Sequence, residues 1–467
     1  MFFFFKEMPW VPFFLGSYTK PLGHVVDGCG EGVTLGLFNN ETGAVVPRLS
    51  STSTQPHPIR IVSPSFLHVN TPVEKGDTSR DASFGRLVEV VVVQEDESVD
   101  LESILVLHAK FSNEFVTAMS SAASSEDLVR EFGELDFFWL KTTINGTNGV
   151  YNCHVTSCPT TSNDMPQVIG VSGYLSGTFS FLLLHPDAAT RSITFTPPLH
   201  DASLLGSNGQ RQEFPHAHQI VFLKLEQDLC DEEVGREGMC TFGVCLGTDR
   251  IGRIPLAKQL LLDGDVVQRQ VQLSPQENVA FVAPVGSGPR HMEFVPVCVR
   301  RRLSSATSCV APTLAVVSCE LSARILLLSY LNNKFSLLSD LNSSNVREEE
   351  DIPRKPNSPA AIHCHPTLPF VFIANRFVDT IAVFEIGLAT PRHGSDDNAG
   401  RYCLRFVSEV WCGGRTPRDF AVSHCGKWIV VGLQDSSQVA VIEISGGGKL
   451  KLCCVVPCPT PTNVVFF

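Results

Sequence analysis

The sequence predicts an all-β fold: a seven-bladed β-propeller of four-stranded antiparallel blades, closed by pairing of the N- and C-terminal strands. Three observations predict it. Apolar strand-like runs bounded by Gly, Pro, Asn and Asp recur along the chain, helical periodicity is scarce, and both ends are short apolar strands without a local partner.

The recurring unit is an apolar strand, a polar turn and often a second strand. It appears as GVTLGLFNNETGAVV from Gly32, GRLVEVVVVQEDESV from Gly85, GTFSFLLLHPDAATRSITF from Gly177 and RIGRIPLAKQLLLDGDVVQ from Arg250. ARILLLSYLNNKFSLL from Ala323, DTIAVFEIG from Asp379 and SQVAVIEISGGGKLKLC from Ser437 complete seven. The intervals are similar, with one wide gap between the second and third units. A small sheet must bury its faces on neighbours, so repetition at this period points to propeller blades. No linker composition separates the units, which argues for one domain over residues 1–467 and against a run of independent sandwiches. Polar stretches near 110–148, 226–238, 298–312 and 339–358 read as insertions on the ring. The first holds the fair helix candidate, SSEDLVREF from Ser124 to Phe132. FFLGSYT near the start and TPTNVVFF at the finish would cover each other's edges by sharing one blade.

Composition narrows the function. The 467 residues carry a formal net charge of −12, so long-range attraction to nucleic acid or an anionic membrane is absent. A local cationic pocket remains open to an anionic ligand. The 16 cysteines include no Cys-x-x-Cys pair and no zinc-type spacing. Cys245, Cys319, Cys364 and Cys403 sit in or beside apolar runs, where cysteine behaves as a small hydrophobe, and reduced cytoplasmic thiols are expected. The apolar run Phe2–Phe5 is interrupted by Lys6 and Glu7, and no segment reaches the about 20 apolar residues of a membrane helix. The expectation is a soluble cytoplasmic protein, a monomer being compatible with everything above. Neither a Gly-x-Ser-x-Gly elbow nor a phosphate-loop lysine after Gly286-Ser287-Gly288 is present, and no cofactor is expected.

Several segments taken in order resemble a family. They are GSYTKPLGHVVDGCGEGVTLGLFNNETG (from Gly16), GVYNCHV (from Gly149), GYLSGTFSF (from Gly173), RQEFPHAHQIVF (from Arg211) and GSGPRHMEF (from Gly286). AAIHCHPTLPFVFIANRFVDTIAVFEI (from Ala360) and GGRTPRDFAVSHCGKWIVVGLQDSSQVAVIEI (from Gly413) follow. The ordered set resembles the lactonase-type seven-bladed β-propellers, which include 6-phosphogluconolactonases and carboxymuconate-cyclising enzymes. Departures are Cys319 and Leu433 where the family usually has Asn, the eroded SPSFLHVNTP from Ser63, and an expansion between Val295 and Thr313.

The resemblance implies a central cleft holding His154, Arg211, His216, His218 and Arg290. Lactone hydrolysis needs an activated water, a polarised carbonyl and a stabilised leaving alkoxide. A neutral imidazole can take the water proton, and a guanidinium can hold an oxyanion, carboxylate or phosphate with its planar fork. His154 is therefore assigned as general base, with Arg290 and Arg211 as anion or oxyanion clamps. His216, His218 and His291 are orienting donors, and Glu320, Asn375, Arg376, Arg418 and Gln434 are cleft residues on later blades by their repeat position. Each has a plainer reading. His154 could cap a strand end, Glu320 and Arg376 could form an inter-blade ion pair, and Asp419 and Asp435 could fix turns. His216-x-His218 and His363-x-His365 have a spacing compatible with a metal, but no third ligand is identifiable and no metal is assigned.

The implied substrate is a small anionic sugar lactone or related carboxylate, foremost 6-phosphogluconolactone in the pentose phosphate route. A muconate-type lactonising cyclase would use the same groups in the reverse sense. A non-catalytic propeller that binds another protein is the third reading.

Overall fold

Short β-branched and aromatic runs punctuated by Gly, Pro and Asn favour strands, because each turn former ends pairing before a helix can nucleate. The computed structural model describes residues 9–18, 28–30, 32–47, 68–70, 84–96, 101–112, 119, 138–147, 152–157, 167–184, 191–196, 211–224, 239–256, 268–274, 278–303, 313–346, 355–389 and 402–466. The helix expected at 124–132 lies outside them. The chain starts with β1 (Trp10–Ser17), β2 (Val33–Asn39) and β3 (Val45–Val46). A complete sheet follows from β4 (His68–Asn70), β5 (Phe84–Asp96), β6 (Leu101–Ser112) and β7 (Phe138–Thr147). Residues 138–147, which read in the sequence as part of a polar insertion, are thus a blade strand.

The next blade holds β8 (Asn152–Ser157), β9 (Gln167–Gly173), β10 (Thr178–Leu184) and β11 (Arg191–Thr196). Its neighbour holds β12 (Ala217–Lys224), β13 (Met239–Cys245) and β14 (Arg250–Ile254). The chain then makes β15 (Gln268–Gln272) before returning as β16 (Val279–Val282), which pairs with β14. β15 leaves its own blade and pairs parallel to β11, giving that sheet a fifth strand. The other six sheets have four. β17 (Pro289–Phe294), α1 (Val297–Leu303), β18 (Thr313–Cys319), β19 (Arg324–Leu331) and β20 (Lys334–Asn342) come next. They are followed by β21 (Ser358–Cys364), β22 (Phe370–Arg376), β23 (Thr380–Leu388) and β24 (Tyr402–Trp411). The final elements are β25 (Pro417–Val422), β26 (Trp428–Leu433), β27 (Gln438–Ser445), β28 (Lys449–Pro457) and β29 (Pro461–Phe466).

β29 pairs antiparallel to β1, with Phe13 opposite Phe466 and Leu15 opposite Val464. The expected closure is therefore present, and β29 is the inner strand of the closing sheet β29-β1-β2-β3. The inner strands β29, β4, β8, β12, β17, β21 and β25 each contact the next in that order, and β25 returns to β29. They surround one axis.

The core lies in wedges between blades. Leu314, Val316, Ile325 and Leu327 meet Ile362, Val371, Ile373 and Phe384 in one wedge. Phe372, Ala374 and Val383 meet Phe420, Ile429, Val431 and Ala440 in the next. Both faces of a middle strand are covered, so TLAVVSC of β18, FVFIANR of β22 and WIVVGL of β26 are buried at every residue. This explains why these strands are continuous apolar runs without alternation. The twelve described cysteines are free thiols, and Cys245, Cys319 and Cys364 are buried in the blades. Among the described residues no helix is long and apolar enough to cross a membrane.

Candidate functional site

An inner strand presents one unpaired edge to the axis, and this protein bends that edge in the same way blade after blade. A residue in the left-handed region precedes the strand: His216 (φ 47), Gly288 (φ 60), Thr416 (φ 61) and Thr460 (φ 43). The strand then opens with Ala217, Pro289, Pro417 or Pro461, and the pairing register slips by one residue. The extra residues are His218, Arg290, Arg418 and Thr462. A bulge bends the strand and re-aims a side chain, which is how three of these four become long polar groups at the rim end of the axis. His154 follows an equivalent slip in β8, between Asn152 and its own pairing with Ser172.

The turn that carries Arg290 is held from below. Asp249, buried and itself at φ 53, accepts the Gly286 N–H on Oδ2 and the Gly288 N–H on Oδ1, each at 2.7 Å. Gln212 donates to the same Asp249 Oδ1 at 2.9 Å, tying this turn to the loop of Arg211. The Glu320 N–H bonds the Gly288 carbonyl at 2.8 Å, so the backbones of Arg290 and Glu320 are fixed by one short turn.

Glu320 is the hub of the charged side chains. Its Oε1 lies 2.6 Å from Arg211 Nη2, and its Oε2 lies 3.0 Å from both Arg290 Nε and Arg376 Nη2. Burial would raise its pKa, but the guanidiniums of Arg376, Arg290 and Arg211 hold the carboxyl well below the usual range. Arg376 also donates to the Ser358 carbonyl and hydroxyl, which lays it over the entry to β21. Arg211 is the exposed member, 46% accessible, and burial of its stem is outweighed by Glu320 and Tyr174, so its pKa is raised.

Three imidazoles gather beside Arg290. The His291 ring centroid is 5.2 Å from that of His218 and 5.9 Å from that of His154. Arg290 Nη1 donates to His291 Nε2 at 3.1 Å, which makes that nitrogen an acceptor. Burial, then the Arg290 charge, push the pKa of both His218 and His291 well below the ordinary value, so both are neutral near pH 7. His154 is half-buried on the facing strand. The site thus combines neutral proton acceptors with fixed guanidiniums.

Other expected residues fall elsewhere. His216 bonds the Tyr174 carbonyl through Nδ1 and Glu213 through Nε2, and its ring stacks on Tyr174 at 4.3 Å. His365 bonds the Gly426 carbonyl through Nε2 and accepts the Thr367 and Leu368 N–H groups on Nδ1. Neither histidine has a ring nitrogen left for a metal, and among the described residues no group of three or more potential ligands could hold one. Asn375 is fully buried and bonds the Ser343 carbonyl and Asn357, pinning the entry to β21 away from the imidazoles. Arg418 and Gln434 meet on the far blade, with Arg418 Nη1 donating to Gln434 Oε1 at 3.3 Å.

Below the imidazoles a second polar chain crosses the axis. His363 Nδ1 is 2.7 Å from Glu293 Oε2, and its Nε2 is 3.8 Å from Asp419 Oδ1. Asp419 Oδ2 in turn accepts from the Asn463 amide and the Val464 N–H. Asp419 therefore bridges inner strands, not the turn proposed for it from sequence. Together with Gln219 accepting the Met292 N–H and Glu293 accepting the Cys364 N–H, these contacts satisfy the free edges of the inner strands. Burial would lower the His363 pKa, but Glu293 and Asp419 push it up to about 10.

Seven sheets around an axis, with imidazoles and arginines delivered to one rim, define a seven-bladed β-propeller with a polar axial site. Residues 141–466 match the model of the lactonase, seven-bladed beta-propeller family, and the chain belongs to that family. Its relatives include the 6-phosphogluconolactonase of Bacillus subtilis (strain 168), 24% identical over 322 residues, which span 68% of this chain and 74% of that one. Two solved structures share the fold. A proposed 6-phosphogluconolactonase of Bacteroides fragilis NCTC 9343 superposes with a TM-score of 0.60 at 18% identity, covering 98% of each chain. The periplasmic gluconolactonase of Pseudomonas aeruginosa superposes with a TM-score of 0.58 at 18% identity, covering 98% of this chain and 99% of that one.

Proposed function

We propose that the protein is a hydrolase of an anionic sugar lactone, with 6-phosphogluconolactone as the substrate and 6-phosphogluconate as the product. The observation that carries this reading is the set of three imidazoles packed beside Arg290, two of them neutral. Membership of the lactonase family and the name of the Bacillus subtilis relative support the choice of substrate.

In the proposed reaction His154 takes a proton from water as the water oxygen attacks the lactone carbonyl. Arg290, held by Glu320 and His291, faces the oxyanion that develops as the carbonyl π electrons move onto oxygen. Collapse of the tetrahedral intermediate breaks the ring C–O bond, and the leaving alkoxide takes the proton back from the His154 imidazolium. A positioned general base contributes about a hundred- to ten-thousand-fold to such a step. Arg211, exposed at the mouth, meets the substrate first and stays protonated throughout.

Purified protein is expected to accelerate the loss of 6-phosphogluconolactone over its spontaneous hydrolysis. His154→Ala and Arg290→Ala should remove that gain while circular dichroism reports an intact fold. Full activity in both variants would overturn the assignment. Inactivity of the wild type on every lactone offered would turn the reading to a binding propeller, and ring closure of a muconate would turn it to a cyclase.

A further inference from the structure

We propose that Arg418, Gln434 and Tyr18 form a second anion subsite, across the axis from His154, that holds the terminal anionic group of the lactone. The proposal rests on the lactonase reading above and adds where the far end of the substrate binds.

Position is the first argument. Around the ring of seven inner strands, β25 is three steps from β8 in one direction and four in the other. No strand lies further from His154. Arg418 is the extra residue of the β25 bulge, the same place that Arg290 holds in β17, so it is aimed at the same rim.

The state of the guanidinium is the second. Arg290 is engaged by Glu320 through Nε and by His291 through Nη1, and serves the reacting carbonyl. Arg418 is half-buried, gives one hydrogen bond to Gln434 Oε1, and lies over the Tyr18 ring with Cζ 5.7 Å from the centroid. Among the described residues no carboxylate pairs with it. The nearby acids are committed: Asp419 to Asn463 and Val464, and Asp435 to Thr416 and Gln434. Its supports are rigid, because Gln434 donates its amide to Asp435 at 2.8 Å and Tyr18 is 2% exposed. A half-buried guanidinium over a tyrosine ring, bonded to a neutral amide and to no carboxylate, is suited to capture of a phosphate or carboxylate.

Charge is the third. Arg211, Arg290 and Arg376 share one carboxylate, and Arg418 adds a fourth guanidinium with none. The Arg418 charge is felt by both His218 and Arg376, after burial in each case, so it faces the shared mouth. A lactone with a neutral tail would leave the Arg418 guanidinium without an ionic partner. A tail ending in phosphate or carboxylate would not.

Three sugar acids that differ only at C6 separate the possibilities: gluconate with a hydroxyl, glucarate with a carboxylate, and 6-phosphogluconate with a phosphate. Calorimetric titration of the wild type is expected to rank an anionic C6 group above the hydroxyl. In Arg418→Gln that preference should fall by about ten- to a hundred-fold, the span of one charge-assisted contact, and Arg418→Lys should restore part of it. Glucarate and 6-phosphogluconate report whether carboxylate or phosphate is the better occupant. In kinetics, the loss of kcat/KM in Arg418→Gln should be greater for 6-phosphogluconolactone than for unphosphorylated gluconolactone, and should fall on KM. An unchanged C6 preference in a folded Arg418→Gln variant overturns the subsite. If the wild type turns over no lactone, the hydrolase reading fails, while the titrations still decide the subsite by the same comparison.

Discussion

Arg290 Nε and Glu320 Oε2 stand 3.0 Å apart, both buried, and the same carboxylate reaches two further arginines. This carboxylate offsets the repulsion among the three guanidiniums that converge on it. Removing one partner of a buried pair typically costs about 3–5 kcal/mol, because the others lose their counter-charge. Glu320→Gln is expected to lower stability to urea at pH 7 by at least ~3 kcal/mol. Since the folded pKa is depressed, the contribution is present above the unfolded value of 4.5 and is lost as pH falls through the folded one. The gap between wild type and variant should therefore narrow in acid. Equal urea midpoints at pH 7 would contradict the hub role.

His363 behaves in the opposite sense. Its folded pKa, near 10, lies above the ordinary 6.5, so its contribution is complete below 6.5 and disappears as pH rises through about 10. The melting temperature of the wild type should fall between pH 7 and 10, and that of His363→Gln should fall less over the same interval. Parallel curves would mean that the imidazolium between Glu293 and Asp419 adds nothing.

His218 and His291 should be visible as neutral rings. Burial and Arg290 depress both, so imidazole nitrogen resonances at pH 6 are expected to show one protonated and one bare nitrogen for each. In the unfolded chain these rings take up protons below pH 6.5 and in the folded chain they do not, so stability declines as pH drops through that region. Doubly protonated signals for either residue at pH 6 would contradict the site electrostatics.

Gly288 tests the turn under Arg290. It sits at φ +60, and a Cβ there would lie 2.4 Å from Leu321 Cγ. Gly288→Ala should cost about 1–3 kcal/mol from backbone strain and crowding. It should also reduce kcat/KM on the lactone, because the turn sets the aim of Arg290. A chemical denaturation curve and a rate on the same preparation check both.

The blades were legible because each is local. ARILLLSYLNNKFSLL carries its own turn, and the pairing of β19 with β20 through Asn332 and Asn333 follows from those residues alone. The closing pair was legible from two unpartnered ends. β15 was not, because its partner β11 is distant in sequence and the pairing is parallel, which no local pattern encodes. In the site, GPRH and PHAH marked His218, Arg290 and His291, since polar residues between Pro and an apolar strand have few structural uses. Asp249 and Gln212 were missed: TDRIG reads as an ordinary hairpin turn, and the acceptor role of Asp249 appears only when the 286–288 turn arrives against it. Glu293 and Asp419 were missed as partners of His363 because inner strands meet through side chains, and sequence carries no register between blades. Tyr18 and Tyr174 likewise gain meaning only from the rings and guanidiniums placed over them.

β15 has a further consequence for motion. Through it, the connection between β14 and β16 is bonded to the outer edge of β11, so the blades carrying His154 and His218 are stitched at the perimeter as well as at the axis. A blade in a ring can ordinarily breathe against its neighbours with its own opening free energy. These two must open together, and their amides should exchange with solvent as one cooperative unit. The stitch couples the strands that present two of the three imidazoles.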